Sequence, residues 1–180
     1  MWRTIGHDKA IHILKRSLEK GRFPHACLLS GAPHVGKMTL AIDLAQALNC
    51  LQEDEKPCGE CRPCSRIARG LHADVQVVEV GAGESGEGRS RVAISIDQVR
   101  DVQRHVSLKP FEGRNRVFIF DGAEHLSEEA ANALLKTLEE PPDQVVLLLL
   151  TLDGDALLPT LVSRCQLLNL RPVSRSLIVR

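Results

Sequence analysis

Aromatic side chains are scarce in this chain: 3% of 180 residues, with one Trp, four Phe and no Tyr. Excess charge of either sign is absent, because 23 Lys and Arg face 23 Asp and Glu. Both absences argue against a zinc-dependent or other dedicated DNA-binding module, which would carry a clearly basic surface. They leave room for DNA contact made within a larger assembly. No apolar run reaches membrane-spanning length, and the N-terminal stretch lacks a signal-peptide pattern. The sequence therefore predicts a soluble, cytoplasmic chain. Its length suits one domain with a small insertion, and 43% hydrophobic residues suffice for a core.

The most informative stretch runs from His25 to Ala45. Residues 26–29 are apolar and predict a buried strand. Gly31, four residues, Gly36 and Lys37 follow, and then Leu40, Leu44, Ala47 and Leu48 recur at helical spacing. Strand, Gly-x-x-x-x-Gly-Lys, helix is a phosphate-binding loop in its required context. Backbone N–H groups and a helix N-terminus cradle oxyanions, and the lysine adds a mobile positive charge. One position departs from the pattern. A Ser or Thr hydroxyl that would hold magnesium is replaced by Met38. Thr39 comes next, but a helical step turns it by about 100°. The phosphate cradle is thus present and the metal ligand missing, so ATP with Mg2+ is a doubtful ligand of this site.

Residues 117–121 predict a second buried strand of the site, ending in Asp121. A strand-end acid there organises magnesium beside the phosphates. In hydrolysing members of such folds a Glu follows and activates water; here the next residue is Gly122. Glu124 reads as part of the following turn. Residues 145–150 predict another strand, ending at Thr151. That hydroxyl can face a γ-phosphate or simply satisfy the strand end.

Four of the six cysteines cluster: Cys50, Cys58, Cys61 and Cys64. In a cytoplasmic chain such a cluster points to metal rather than disulfides. Two overlapping Cys-x-x-Cys turns supply three thiolates and Cys50 a fourth, enough for a zinc tetrahedron. Four protein ligands leave no open position, so this Zn2+ would be structural, in a module spanning about residues 50–66. A redox pair would use only two of the four. Cys27 reads as a small core residue.

The remaining elements follow from periodicity and caps. Helices are predicted over residues 4–21, 65–70, 94–107 and 156–163, and strands over 75–80 and 166–170. Ser127 can cap a helix that Pro141 and Pro142 stop. Residues 81–91 read as a flexible, polar loop. Strands alternating with helices predict an α/β fold with a parallel five-stranded sheet covered on both faces, its site at the carboxyl ends of the strands.

Four features combine into a resemblance. They are the phosphate loop, the four-cysteine module, Ala131-Asn-Ala-Leu-Leu-Lys-Thr-Leu-Glu-Glu-Pro-Pro142 and Ser163-Arg164-Cys165. Together they resemble the N-terminal AAA+ domain of bacterial DNA polymerase III clamp-loader subunits, over essentially residues 1–180. The resemblance implies a longer protein, with a helical lid and a C-terminal collar beyond this fragment. It implies gamma/tau ATPase subunits and delta as partners, and the sliding clamp and primed DNA through the complex. The isolated fragment is expected to be monomeric. Met38 and Gly122 look like the delta-prime branch, an accessory subunit of the polymerase without ATPase activity of its own, rather than the ATP-hydrolysing gamma/tau branch. The resemblance also implies that Arg164 acts in trans on a neighbour's ATP. From the residues alone, Arg164 reads as a helix cap or as the partner of a surface acid.

Overall fold

The computed structural model describes residues 1–82 and 92–173. Five parallel strands form the main sheet, in the order β2 (Val75–Val78), β5 (Arg116–Asp121), β6 (Val145–Thr151), β1 (Ala26–Ser30), β7 (Gln166–Asn169). The three central strands are near-continuous apolar runs, as burial on both faces requires. All seven residues of β6 are buried. The edge strands keep polar or exposed positions, such as Gln76 in β2 and Leu167 in β7.

Alternation along the strands divides the core. Leu28, Phe118, Phe120, Leu147 and Leu149 face one side, against α4 (Ile96–Val106), α5 (Glu128–Glu139) and α6 (Pro159–Val162). Cys27, Leu29, Ile119, Leu148 and Leu150 face the other, against α1 (Asp8–Glu19), α2 (Lys37–Asn49) and Ile67 of α3 (Arg62–Ala68). Each fully buried Leu or Phe contributes about 1.5–3 kcal/mol relative to exposure. Ser95 and Gln98 form a capping box on α4, and Ser127 accepts the Ala130 N–H on α5. Each such cap is worth about 1 kcal/mol.

Three helix boundaries and one additional element differ from expectation. The first helix begins at Asp8 instead of residue 4, because Arg3 and Thr4 are held elsewhere. Their backbone N–H groups donate to the buried Asp43 carboxylate of α2, each at 2.9 Å. The third helix starts at Arg62, where Pro63 fits its first turn. The region expected as one helix over 156–163 divides into a 3-10 turn, Gly154–Ala156, and the short α6, which Pro159 opens. A two-stranded antiparallel ribbon, β3 (Gly81–Ala82) with β4 (Val92–Ala93), was not foreseen. The rest of the expected 81–91 loop lies outside the described residues.

Candidate functional site

Three adjacent strands deliver the site. In the order β5, β6, β1 their carboxyl ends lie side by side. Asp121 pairs with Leu150, and Thr151 pairs with Ser30. Gly31 follows Ser30 and donates its N–H to the Thr151 carbonyl at 3.2 Å. A side chain at Gly31 would collide with the Leu170 carbonyl oxygen. Gly36 caps α2 in a left-handed conformation, φ 100°, where other residues are strained. No acidic residue occupies the first turn of α2, so the positive end of the helix dipole remains directed at the cradle.

One cleft brings together Gly36, Lys37, Met38, Thr39, Asp121 and Thr151. Gly31 supports it from the loop's base. Lys37 is folded back onto its own loop, and its ammonium donates to the carbonyls of Gly31 at 2.6 Å and Ala32 at 3.0 Å. Partial burial lowers the Lys37 pKa, and the charges of Glu124 and Asp121 oppose that shift. Met38 lines the wall where the expected hydroxyl is missing. Thr39 still reaches the cleft rim, and it also lines a second cleft behind the loop, beside Arg3, Ile5 and Pro172. The helical step therefore does not remove Thr39 from the site's surroundings.

Thr151 is buried, and its hydroxyl donates to the Asp153 carbonyl at 2.8 Å. The same oxygen accepts the Asp153 N–H at 3.2 Å. Its only proton is spent on the strand end. Gly122 has φ 81°, and a Cβ there would meet His125 and Val80 carbon atoms at 3.1 Å. The position lacks both a carboxylate and the room to hold one without strain. The residues present thus fit a phosphate group at the Gly36–Lys37 start of α2, and offer no hydroxyl for magnesium at position 38.

Sequence reasoning missed three residues here. Glu124 faces the same cleft; Gly122 turns the chain and the 3-10 helix Ala123–His125 carries Glu124 back. His7 is buried and its Nε2 lies 2.8 Å from the Val35 carbonyl, bracing the phosphate loop from α1's start. His34 adopts φ 62° within the loop, an uncommon conformation for a side-chain-bearing residue. Only Glu124 left a signal, its three-residue spacing from Asp121.

The four cysteines form a second centre. One sulfur from each of Cys50, Cys58, Cys61 and Cys64 lies within 4.8 Å of the others, and all are free thiols. Thiolates at about 2.3 Å from a tetrahedral ion would be separated by about 3.8 Å, so a small contraction suffices and the donor set fits a metal ion. Backbone N–H groups already point at the sulfurs: Cys58 N–H at Cys50 Sγ, 3.4 Å, and Cys61 N–H at Cys58 Sγ, 3.3 Å. The Cys61 N–H leads in lowering the Cys58 pKa to about 6, whereas burial pushes Cys64 up. Gln46 of α2 donates to the Cys64 carbonyl at 2.7 Å, fastening this module to the helix that follows the phosphate loop.

Arg164 stands apart from both. It precedes β7, at the amino end of the parallel sheet, whereas the cradle lies at the carboxyl end. Its guanidinium donates to the Thr160 carbonyl at 2.9 Å and to Glu139 at 2.8 Å, with 35% of the side chain exposed. Helix-capping and surface pairing are thus both realised in this conformation. The length of β1, roughly 3.3 Å per residue, separates Arg164 from its own phosphate loop.

Comparison with known proteins gives one family. The family described as DNA polymerase III, delta subunit, matches residues 6–174. The chain is 36% identical over 177 residues to DNA polymerase III subunit gamma of Buchnera aphidicola, covering 98% of this chain and 46% of that protein. It is 33% identical over 174 residues to DNA polymerase III subunit delta' of Bacillus subtilis, covering 96% of this chain and 50% of that one. The chain thus spans about half the length of these curated relatives. Among solved structures, a DNA polymerase III gamma subunit-related protein from Thermotoga maritima superposes with a TM-score of 0.65 at 24% identity, over 92% of this chain and 47% of that one. The fold is of the AAA+ type. No helix among the described residues is long and apolar enough to cross a membrane.

Proposed function

Because the chain belongs to the family of bacterial DNA polymerase III clamp-loader subunits, we propose that it is a delta-prime-like stator: a AAA+ domain that does not hydrolyse ATP itself and lends Arg164 to a neighbour's site. The observation that carries this reading is Gly122. Hydrolysis needs a carboxylate beside the strand-end acid, and the left-handed backbone at Gly122 disfavours any side chain there. Met38 supports the same reading. In it, residues 1–180 supply the N-terminal AAA+ domain of a longer protein. Its neighbours are the gamma/tau and delta subunits, and through them the sliding clamp and primed DNA.

The place of Arg164 supports action in trans. A guanidinium at the amino end of the sheet cannot serve the cradle at the carboxyl end of the same domain. It can meet phosphates presented by an adjoining subunit, once released from Glu139. A guanidinium is always charged and binds phosphate oxygens in a bidentate fork, so it stabilises charge developing in phosphoryl transfer. An arginine supplied in this way is worth roughly 10³–10⁵ in rate in other nucleotide hydrolases. The four-cysteine module, in this reading, holds Zn2+ as a closed structural site.

The test is a reconstituted loader carrying Arg164→Ala. Loss of DNA-stimulated ATPase activity with an intact, folded complex is the expected result, and unchanged activity would overturn the finger assignment. Thr39 at the cleft rim favours one other reading, an active gamma/tau-like ATPase. ATP turnover by the isolated chain, abolished by Lys37→Ala, would select it.

A further inference from the structure

We propose that the four-cysteine centre opens to hydrogen peroxide: its outward pair, Cys58 and Cys61, closes into a disulfide and the bound ion leaves. The inference rests on the reading that all four sulfurs hold Zn2+. It goes beyond that reading by giving the sulfurs unequal parts, two as anchors and two as a peroxide target.

The first observation is burial. Cys50 and Cys64 are each 0% exposed, whereas Cys58 and Cys61 are only partly buried. A metal ion holds its cysteines as thiolates, and thiolates within reach of solvent are the ones oxidised. The two cysteines outside the centre are poorer targets. Cys27 is fully buried, and burial pushes the Cys165 thiol up to about 11, so it stays protonated near neutral pH.

The second observation is freedom to move. Cys50 caps the end of α2 and Cys64 lies inside α3. Gln46 ties these helices together through the Cys64 carbonyl at 2.7 Å, so the inner pair moves only if the helices do. Cys58 precedes α3, and Gly59 turns the chain at φ 83° towards Cys61. A side chain at Gly59 would meet nothing within 4 Å, so the turn has room to tighten. The Cys61 N–H already points at Cys58 Sγ, 3.3 Å away, and the two sulfurs lie within 4.8 Å. Closing them to a disulfide of about 2.05 Å is a local movement of this turn.

The third observation is what the turn is tied to. The Trp2 indole N–H donates to the Lys56 carbonyl at 3.0 Å, two residues before Cys58. Trp2 is the single tryptophan of the chain, so its emission reports on this end of the module.

One sulfur of the outward pair attacks the peroxide, and the O–O bond breaks. That sulfur becomes a sulfenic acid, and the departing hydroxide takes a proton to give water. The second sulfur attacks the first: the S–S bond forms, the S–O bond breaks, and the leaving hydroxide is protonated to a second water. Two thiolates lose two electrons, and one peroxide gains them with two protons from solvent. The ion is left with two of its four ligands and passes to water.

The experiment treats the purified, zinc-loaded chain with a small molar excess of hydrogen peroxide at neutral pH. Released zinc is followed with a chromogenic chelator against an untreated sample, Trp2 by its emission, and each cysteine by alkylation and peptide mapping. About one zinc per chain should be released, in step with a Cys58–Cys61 disulfide, while Cys50, Cys64 and Cys165 are recovered as thiols. Trp2 emission should shift on the same time course, and dithiothreitol with added Zn2+ should reverse both changes. Zinc retained by the treated chain overturns the proposal. So does a first disulfide that includes Cys50 or Cys64, or Trp2 emission that stays fixed as zinc leaves. A chain that carries no zinc before treatment overturns instead the metal reading beneath it.

Discussion

Asp74 and Arg116 form a buried ion pair, 3.0 Å between carboxylate and guanidinium, at the amino end of the sheet. The same carboxylate accepts the backbone N–H groups of Phe111, Glu112 and Gly113 at 2.7, 2.7 and 2.8 Å. One side chain thus organises the turn that leads into β5. Asp74→Ala would leave a buried cation without its counter-charge and three donors without an acceptor. Such a break costs about 3–5 kcal/mol, to be read as a lower denaturation midpoint with an unchanged slope.

Acid should expose the same dependence. Burial raises the Asp74 pKa, but the three backbone donors and Arg116 outweigh it and hold the carboxyl below its ordinary value. The folded chain therefore binds fewer protons there than the unfolded chain. This contribution is fully present above the unfolded value of about 3.9 and is lost as pH falls through the lower folded value. Unfolding free energy followed from pH 6 down to about pH 3 should fall steeply only below about pH 4, and Asp74→Ala should flatten that descent.

Removing metal should loosen one region selectively. If Cys50, Cys58, Cys61 and Cys64 hold Zn2+ as proposed, stripping the ion should lower the melting temperature by about 10 °C, equivalent to roughly 3–4 kcal/mol for a domain of this size. Elemental analysis should return one zinc per chain, and Cys61→Ser should lose it. Hydrogen exchange should rise in α3 and at the end of α2, while β5 and β6 stay protected. Unchanged melting after removal would deny the centre a structural role.

Supplying the missing acid should fail to make an ATPase. Gly122→Glu places a side chain at φ 81° against His125 and Val80. The left-handed backbone costs about 1–2 kcal/mol, so the variant should unfold earlier and still show no turnover in a phosphate-release assay.

The Arg164–Glu139 pair should matter little to stability. Both side chains are partly exposed, 35% and 49%, and such pairs contribute about 0–1 kcal/mol. Glu139→Gln should shift the unfolding free energy by about 0.5 kcal/mol or less. A larger loss would mean that the pair is part of the fold and not a resting place for the guanidinium.

Much of this molecule is legible in its sequence where the determining interactions are local. The apolar runs of β1, β5 and β6 announce buried parallel strands, Ser127 announces its helix, and the spacing of Gly31, Gly36 and Lys37 announces the cradle. The cysteine spacing likewise anticipates the clustered sulfurs. What escapes depends on distant partners. Asp43 holds the N-terminal strand of chain away from helix because Arg3 and Thr4 reach it across about forty positions. Glu124 reads as a turn residue until β6 is placed beside β5 and the N–H of Leu152, just beyond β6, meets the carboxylate. Asp74 reads as a loop acid until residues 111–113 fold over it.

The parallel sheet also gives the domain a head and a tail. Its phosphate cradle opens at one end and Arg164 stands at the other. In the proposed reading, subunits joined by that arginine would meet head to tail, through unlike surfaces, and would not pair about a two-fold axis. Contacts of this kind build a ring or an open arc with a single sense of direction. A member whose own cradle is stalled, as proposed for this chain, would be a plug without a working socket, and an arc that included it would have a fixed beginning.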